Sequence, residues 1–110
     1  MKQYLSPEQT AKLIELGFEK PMSIASVEPI YGMGGISVAK AYSIGELFEM
    51  LPMNINNDGR FENLLIHPNY YRWVVKYSGF CMEPTYQICM KELIDALYLM
   101  VIKLKEEGMI

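Results

Sequence analysis

The sequence predicts an α+β fold in one domain, residues 1–110. We expect an antiparallel sheet of three to five strands, a long C-terminal helix packed against it, and two shorter helices. Two segments begin with helix-capping signals, at Ser6 and at Ser43. Two regions between the helices are β-branched or alternating and contain glycine or asparagine turns. The last stretch before Gly108 has apolar residues at helical spacing.

The first helix is expected from about Pro7 to Leu16. Ser6 can accept hydrogen bonds from the free amides of the first turn, Gln9 can close a capping box, and proline suits the first helical position. Gly17 can then end the helix in a left-handed conformation.

Between Met22 and Ala41, two β-leaning runs surround a glycine-rich segment, Gly32 to Gly35, and predict a hairpin. Pro29 cannot donate a ladder hydrogen bond, so the first strand is expected at an edge or to break there. A phosphate-binding loop opens a helix, whereas this segment leads into a β-branched run. It is either a hairpin turn alone or also a nest of amides for a small anion.

A second, short helix is predicted by a capping box of Ser43 and Glu46, with Tyr42 and Leu47 placed as a hydrophobic staple. Its buried side is expected to contain Leu47, Phe48 and Leu51.

The asparagine-rich run from Asn54 to Gly59 is expected to be a loop. A meander of three strands should follow, because apolar and polar residues alternate and turn residues separate the runs. In the second strand, aromatic and apolar residues share one face and are expected in the core. The predicted strands are Phe61 to Ile66, Tyr71 to Tyr77, and Phe80 to Cys89, with a tight turn at Ser78-Gly79 and an interruption at Pro84.

The C-terminal helix is expected from about Met90 to Glu107, where Gly108 ends it. Its apolar residues fill one arc, but Leu99 and Ile102 fall outside this arc among charged residues. Either the first helix or the hairpin covers these two side chains, or they form a homodimer contact or a docking surface for another protein.

Charge and composition exclude several classes of function. The chain has 10 Lys+Arg against 13 Asp+Glu and a net charge of −3, so we expect neither a nucleic-acid partner nor a membrane partner. No export signal is visible, and the longest uncharged stretch of the C-terminal helix, Ala96 to Ile102, is too short to span a membrane. Cys81 and Cys89 are expected to be reduced, and the protein to be cytoplasmic.

No catalytic frame, cofactor site or metal site is expected. His67 and Cys81 could form a nucleophile–base pair if the strands bring them together. A metal site of His67, Cys81 and Cys89 lacks the usual ligand spacing. The aromatic and basic residues between Tyr70 and Tyr77 could stack bases if they were exposed. However, the aromatic and apolar side chains share one face of the strand, which favours a place in the core, and the net negative charge of the chain opposes phosphate binding.

Three parts of the chain carry a resemblance to known proteins: Leu5 to Phe18, Tyr42 to Leu47 with Met50 to Pro52, and Glu92 to Tyr98 with Leu104 to Glu106. They resemble small proteins of phages and mobile elements of gut Bacteroidetes. The resemblance touches both ends and the middle of the chain, and it implies a small accessory protein. The group has no established activity, so no catalytic residue follows from it, and the glycine segment at Gly32 is not one of its features.

The sequence therefore favours a non-enzymatic binding protein, an accessory factor that docks on a host or phage protein and forms a homodimer through Leu99 and Ile102. The alternative is a protein that sequesters a nucleotide or another small anion. A third hypothesis is a Cys–His enzyme. The ligand-binding residues of the alternative would be Gly32, Gly34 and Gly35 together with Arg60, Arg72 or Lys76.

Overall fold

The computed structural model describes residues 1–30, 32, 34–57, 59–79 and 83–110. In these residues, three helices accompany two antiparallel sheets, one of two strands and one of four, so the fold is α+β. In chain order the elements are α1 (Pro7–Glu15), β1 (Ile24–Ile30), β2 (Gly35–Lys40), α2 (Ile44–Met50), β3 (Asn54–Asn57), β4 (Arg60–Asn69), β5 (Arg72–Ser78), β6 (Tyr86–Met90) and α3 (Leu93–Glu106).

Both predicted capping boxes are confirmed. At α1, the Ser6 hydroxyl accepts the Gln9 amide at 3.2 Å, and the Gln9 side chain accepts the Ser6 amide at 3.0 Å. At α2, the Ser43 hydroxyl accepts the Glu46 amide at 3.2 Å, and Glu46 accepts the Ser43 amide at 3.1 Å. Each box satisfies amides that have no partner inside the helix. The local sequence therefore determines where these two helices begin.

The four-stranded sheet has the order β3-β4-β5-β6, and α3 packs across one face of it against β5 and β6. In the central row of this face, Ile66 pairs with Val75 and Val75 with Ile88. The buried side of α3 completes the core, and α2 packs on α3. The Tyr77 hydroxyl donates to the Pro52 carbonyl at 2.6 Å, and burial raises the pKa of Tyr77, which keeps it a donor.

The asparagine run predicted as a loop is instead the edge strand β3. Ile55 pairs with Glu62 and its side chain is buried in the core. Burial of this one side chain and the ladder to β4 outweigh the turn preference of the asparagines. Only Gly59 and the undescribed residue 58 separate β3 from β4. Strand β4 spans Arg60–Asn69 and is therefore longer at both ends than the predicted strand, Phe61 to Ile66.

Two further boundaries, and the burial of Phe48, differ from the prediction. In the described residues, the last strand contains only Tyr86–Met90, and Ser78, expected in a tight turn, is the last residue of β5. The start of the predicted last strand, at residues 80–82, lies outside the described residues. Helix α3 begins at Leu93, because Met90 is still paired with Trp73 in the sheet. It ends before Gly108, which has a φ of 74° as predicted for a helix stop. Phe48, expected to be buried, is 40% exposed on α2.

The hairpin of β1 and β2, which we call the arm (residues 24–40), projects from the rest of the molecule. All described side chains of β1 and β2 are exposed, and the molecule extends over 61 × 32 × 17 Å. Its radius of gyration is 16.4 Å, whereas a compact domain of this length has about 13 Å. None of the helices in the described residues has the length and apolar character needed to cross a membrane.

Candidate functional site

The glycine segment forms the tip of the arm. Gly32 and Gly34 have φ angles of 82° and 67°, which are common in hairpin turns and which glycine adopts without a steric penalty. Gly35 begins β2 and pairs with Ile30. This geometry is that of a hairpin turn, which the sequence predicted. Residues 31 and 33 lie outside the described residues, and the anion nest stays a prediction.

The cations proposed to accompany the glycine segment belong to the other sheet. Arg72 and Lys76 lie on one face of β5. Arg60 lies on the opposite face of the sheet, where its guanidinium is 3.8 Å from Glu62. The structure thus places Arg72 and Lys76 on the same face of β5, four residues apart, and places the glycine segment between the strands of a separate sheet. Nucleotide sequestration stays a prediction.

Leu99 and Ile102, the predicted dimer contact, both lie on α3 and are partly buried. Ile102 packs against the hydrophobic core. The homodimer through these residues stays a prediction.

His67 and Cys89 lie in one row of the sheet, on either side of Val74. Two strand spacings separate them, about 10 Å, which is too far for one metal ion. The His67 Nδ1 atom is 3.1 Å from the Pro68 carbonyl, and Cys89 is a free thiol. Cys81, the predicted nucleophile, lies outside the described residues. No cluster of three metal-ligating side chains occurs in the part of the chain that the structure describes.

One face of the arm is apolar and uncovered. Val27 pairs with Val38, and Ile36 lies two residues before Val38 on the same side. A bulge after Ile24 lets Ile24 pair with Lys40 on this side too. These four apolar side chains are 41% to 65% exposed. We call them the apolar face of the arm: Ile24, Val27, Ile36 and Val38.

The second surface, largely uncovered, is the face of the four-stranded sheet that points away from α3, although Val74 near its centre is buried. Strand alternation places every second residue on it, and the register aligns these residues across the strands. Two apolar side chains, Phe61 and Leu65, are 72% and 44% exposed there. No carboxylate from the described residues of the four strands lies on this surface. We call it the open face: Asn54, Asn56, Phe61, Asn63, Leu65, His67, Asn69, Arg72, Val74, Lys76, Ser78, Gln87 and Cys89.

A cavity of about 450 Å³ lies beside α2. Its central carboxylate, Glu46, accepts the Met22 amide at 3.0 Å as well as the Ser43 amide of the capping box. Burial alone would raise the pKa of Glu46, but hydrogen bonds from Ser23, Met22 and Ser43 outweigh it and hold the pKa below its ordinary value. Because both carboxylate oxygens already accept hydrogen bonds from the protein, Glu46 organises the start of α2 and the approach to β1. The cavity is lined by Phe18, Glu19, Lys20, Met22, Ser23, Tyr42, Glu46, Glu49 and Met50.

Comparison of the chain with protein families, curated proteins and solved structures finds no match. The arm and the open face are the two candidate binding surfaces that the geometry provides. The sequence predicts the hairpin but does not show that its apolar face is uncovered, and neither Phe61 nor Leu65 was predicted as a site residue. The sequence of β4 contained one indication of the open face. Apolar residues occur at both odd and even positions of this strand, so apolar side chains point to both faces of the sheet.

Proposed function

We propose that the chain is a non-enzymatic binding protein that docks on another protein through the apolar face of its arm. The exposed apolar side chains of the arm are the observation that supports this proposal. The resemblance to small phage and mobile-element proteins supports a role as an accessory factor that acts on a host or phage protein.

An isolated two-stranded hairpin is only marginally stable in water, because neither of its faces is buried. Covering the four half-exposed side chains of the apolar face would contribute roughly 3–6 kcal/mol before the cost of association. A partner on this face would therefore stabilise the arm as well as hold the complex together.

The edges of the arm offer a second means of contact. In a two-stranded sheet, each strand leaves one row of backbone amides and carbonyls unpaired by the sheet. Pro29 removes a donor from β1, whereas β2 contains no proline. An extended segment of the partner would thus add beside β2 (Gly35–Lys40), where backbone hydrogen bonds supplement the apolar contact.

The test compares two neighbouring positions that point to opposite faces of β2. A photo-crosslinking amino acid is placed either at Val38, on the apolar face, or at Ser37, on the other face. Both positions are exposed. In host cells, we expect a discrete protein adduct from position 38 and little from position 37. Equal adducts from the two positions, or none from position 38, would refute the proposal.

The mass of the adduct also tests the predicted homodimer. An adduct of twice the mass of the chain would identify the partner as a second copy. A contact through α3 is examined separately with Leu99→Glu combined with Ile102→Lys. If this variant keeps the mass in solution and the partners of the wild type, Leu99 and Ile102 form no interface.

A further inference from the structure

We propose that the open face of the four-stranded sheet binds single-stranded nucleic acid. This site is separate from the arm, since the two belong to different sheets. Helix α3 covers the opposite face of the sheet, and most side chains of the open face are exposed.

The charge of the open face differs from that of the whole chain. The net charge of −3 counts all residues, and it led to the expectation of no nucleic-acid partner. On the open face, Arg72 and Lys76 are four residues apart on β5, whereas Glu62 of the neighbouring strand points to the core. The described strands thus present cations and no carboxylate on this face, which is complementary to a polyanion.

Aromatic side chains provide surfaces on which bases can stack. Phe61 projects from β4 and is 72% exposed, four residues before the exposed Leu65 on the same face of the strand. At the other end of β4, Tyr70 and Tyr71 form the turn that leads to Arg72, and they are 97% and 92% exposed. Stacking on an aromatic ring is available to every base, because every base has a flat apolar face.

The turn between β4 and β5 has two residues, and it places a tyrosine where such hairpin turns favour glycine or asparagine. Tyr70 has a φ of 57°, a conformation that costs a bulky residue free energy and that glycine adopts readily. A tyrosine that is almost fully exposed gains little from burial to offset this strain. Strained residues of this kind are concentrated at ligand-binding sites. A stacked base on Tyr70 or Tyr71 would explain why aromatic residues occupy the turn.

Single strands fit this surface better than the other candidate occupants. A second copy docked face to face would cover Arg72 and Lys76 with a surface whose described strands also present cations and no carboxylate, so the charges are not complementary. A duplex hides the faces of its bases, so exposed rings gain no stacking from it. From Phe61 to Asn69 the open face extends about 26 Å along β4, so a single strand can contact the rings at both ends and the cations between them.

The experiment measures fluorescence anisotropy of a labelled oligothymidylate of about twelve nucleotides, and of the same oligonucleotide annealed to its complement. We expect the single strand to bind more tightly than the duplex. Phosphate contacts from Arg72 and Lys76 predict about a sevenfold loss of affinity between about 50 mM and 200 mM salt. Failure to bind at low salt, or preference for the duplex, would overturn the proposal.

Two matched pairs of variants locate the site. Phe61→Ala should weaken binding at least about fivefold, whereas Phe48→Ala, which removes an exposed phenylalanine from α2, should not. Lys76→Glu should abolish most binding, whereas Lys12→Glu changes the net charge equally on α1 and should have a much smaller effect. Equal losses within either pair would show that binding does not use the open face. Loss of self-association in Phe61→Ala, without nucleic-acid binding by the wild type, would identify the face as a contact between copies and also overturn the proposal.

Discussion

The buried carboxylate of Glu62 provides the sharpest test of the energetics of this fold. Glu62 is fully buried, and its Oε1 atom accepts the Thr85 hydroxyl at 2.6 Å and the Thr85 amide at 3.3 Å. The Arg60 guanidinium is 3.8 Å away. These contacts connect β4 to the loop that precedes β6. Thr85→Val keeps the shape of the side chain but removes the hydroxyl donor from a buried acceptor.

The expected loss of unfolding free energy in Thr85→Val follows from the strength of the hydrogen bond between Thr85 and Glu62. A hydrogen bond to a charged group contributes about 1.5–3 kcal/mol, and a buried acceptor that loses its partner keeps the full cost of desolvation. We therefore expect Thr85→Val to lower the free energy of unfolding by about 2 kcal/mol. In urea this corresponds to a midpoint lower by roughly 1 M with an unchanged slope.

Thr10→Val is the matched control. Thr10 is also buried, but its hydroxyl has no hydrogen-bond partner among the described residues. Valine and threonine have similar helix propensities, so this substitution in α1 should be neutral or stabilising. If the two variants differ by less than about 0.5 kcal/mol, the Thr85 hydroxyl does not stabilise Glu62 and the reasoning is refuted.

Three further predictions concern α2, the β4–β5 turn and α3. Ser43→Ala should cost about 1 kcal/mol of unfolding free energy, measured in urea, because it removes the cap of α2. Tyr70→Gly should raise the melting temperature, since it relieves about 1 kcal/mol of left-handed strain, while it weakens oligothymidylate binding. Burial alone would raise the pKa of Asp95, but hydrogen bonds from Lys2 and Gln9 outweigh it and hold the pKa below its ordinary value. Its contribution to stability is therefore complete above about pH 4 and is lost as the pH falls through the lower folded-state pKa. In acid titrations followed by urea unfolding, the stability difference between the wild type and Lys2→Met should shrink below that pH.

For each of these three predictions, a specific result would contradict the reasoning. An unchanged midpoint for Ser43→Ala would show that the capping box adds no stability. A lower melting temperature for Tyr70→Gly would show that the tyrosine ring stabilises the turn more than its conformation costs. A wild-type advantage over Lys2→Met that does not shrink as the pH is lowered through the range in which Asp95 takes up its proton would show that the Asp95 contact does not depend on its charge.

Elements with strong local signals could be predicted from the sequence. The capping boxes at Ser6 and Ser43 depend on residues three positions apart, and so does the start of each helix. Gly108 ends α3 through its own backbone conformation. The hairpin of the arm follows from β-branched runs around a glycine turn. In each case the interactions that decide the structure lie within a few residues.

Predictions failed where contacts between distant segments decide the structure. The run Asn54–Asn57 has the composition of a loop, yet pairing with β4 and burial of Ile55 make it a strand. Met90 suits the first turn of a helix, yet pairing with Trp73 keeps it in the sheet. No short window of sequence contains these partners.

The sequence by itself determined the α+β class, the capped starts of α1 and α2, and the hairpin of the arm. Only the tertiary structure decided which apolar side chains remain uncovered, and hence where the arm and the open face offer binding surfaces. Alternation along β4 shows that Phe61 and Leu65 share a face, but only the packing of α3 shows that this face is the open one. The physical reason is that burial is a property of the contact between two elements, and residues far apart in the chain make that contact.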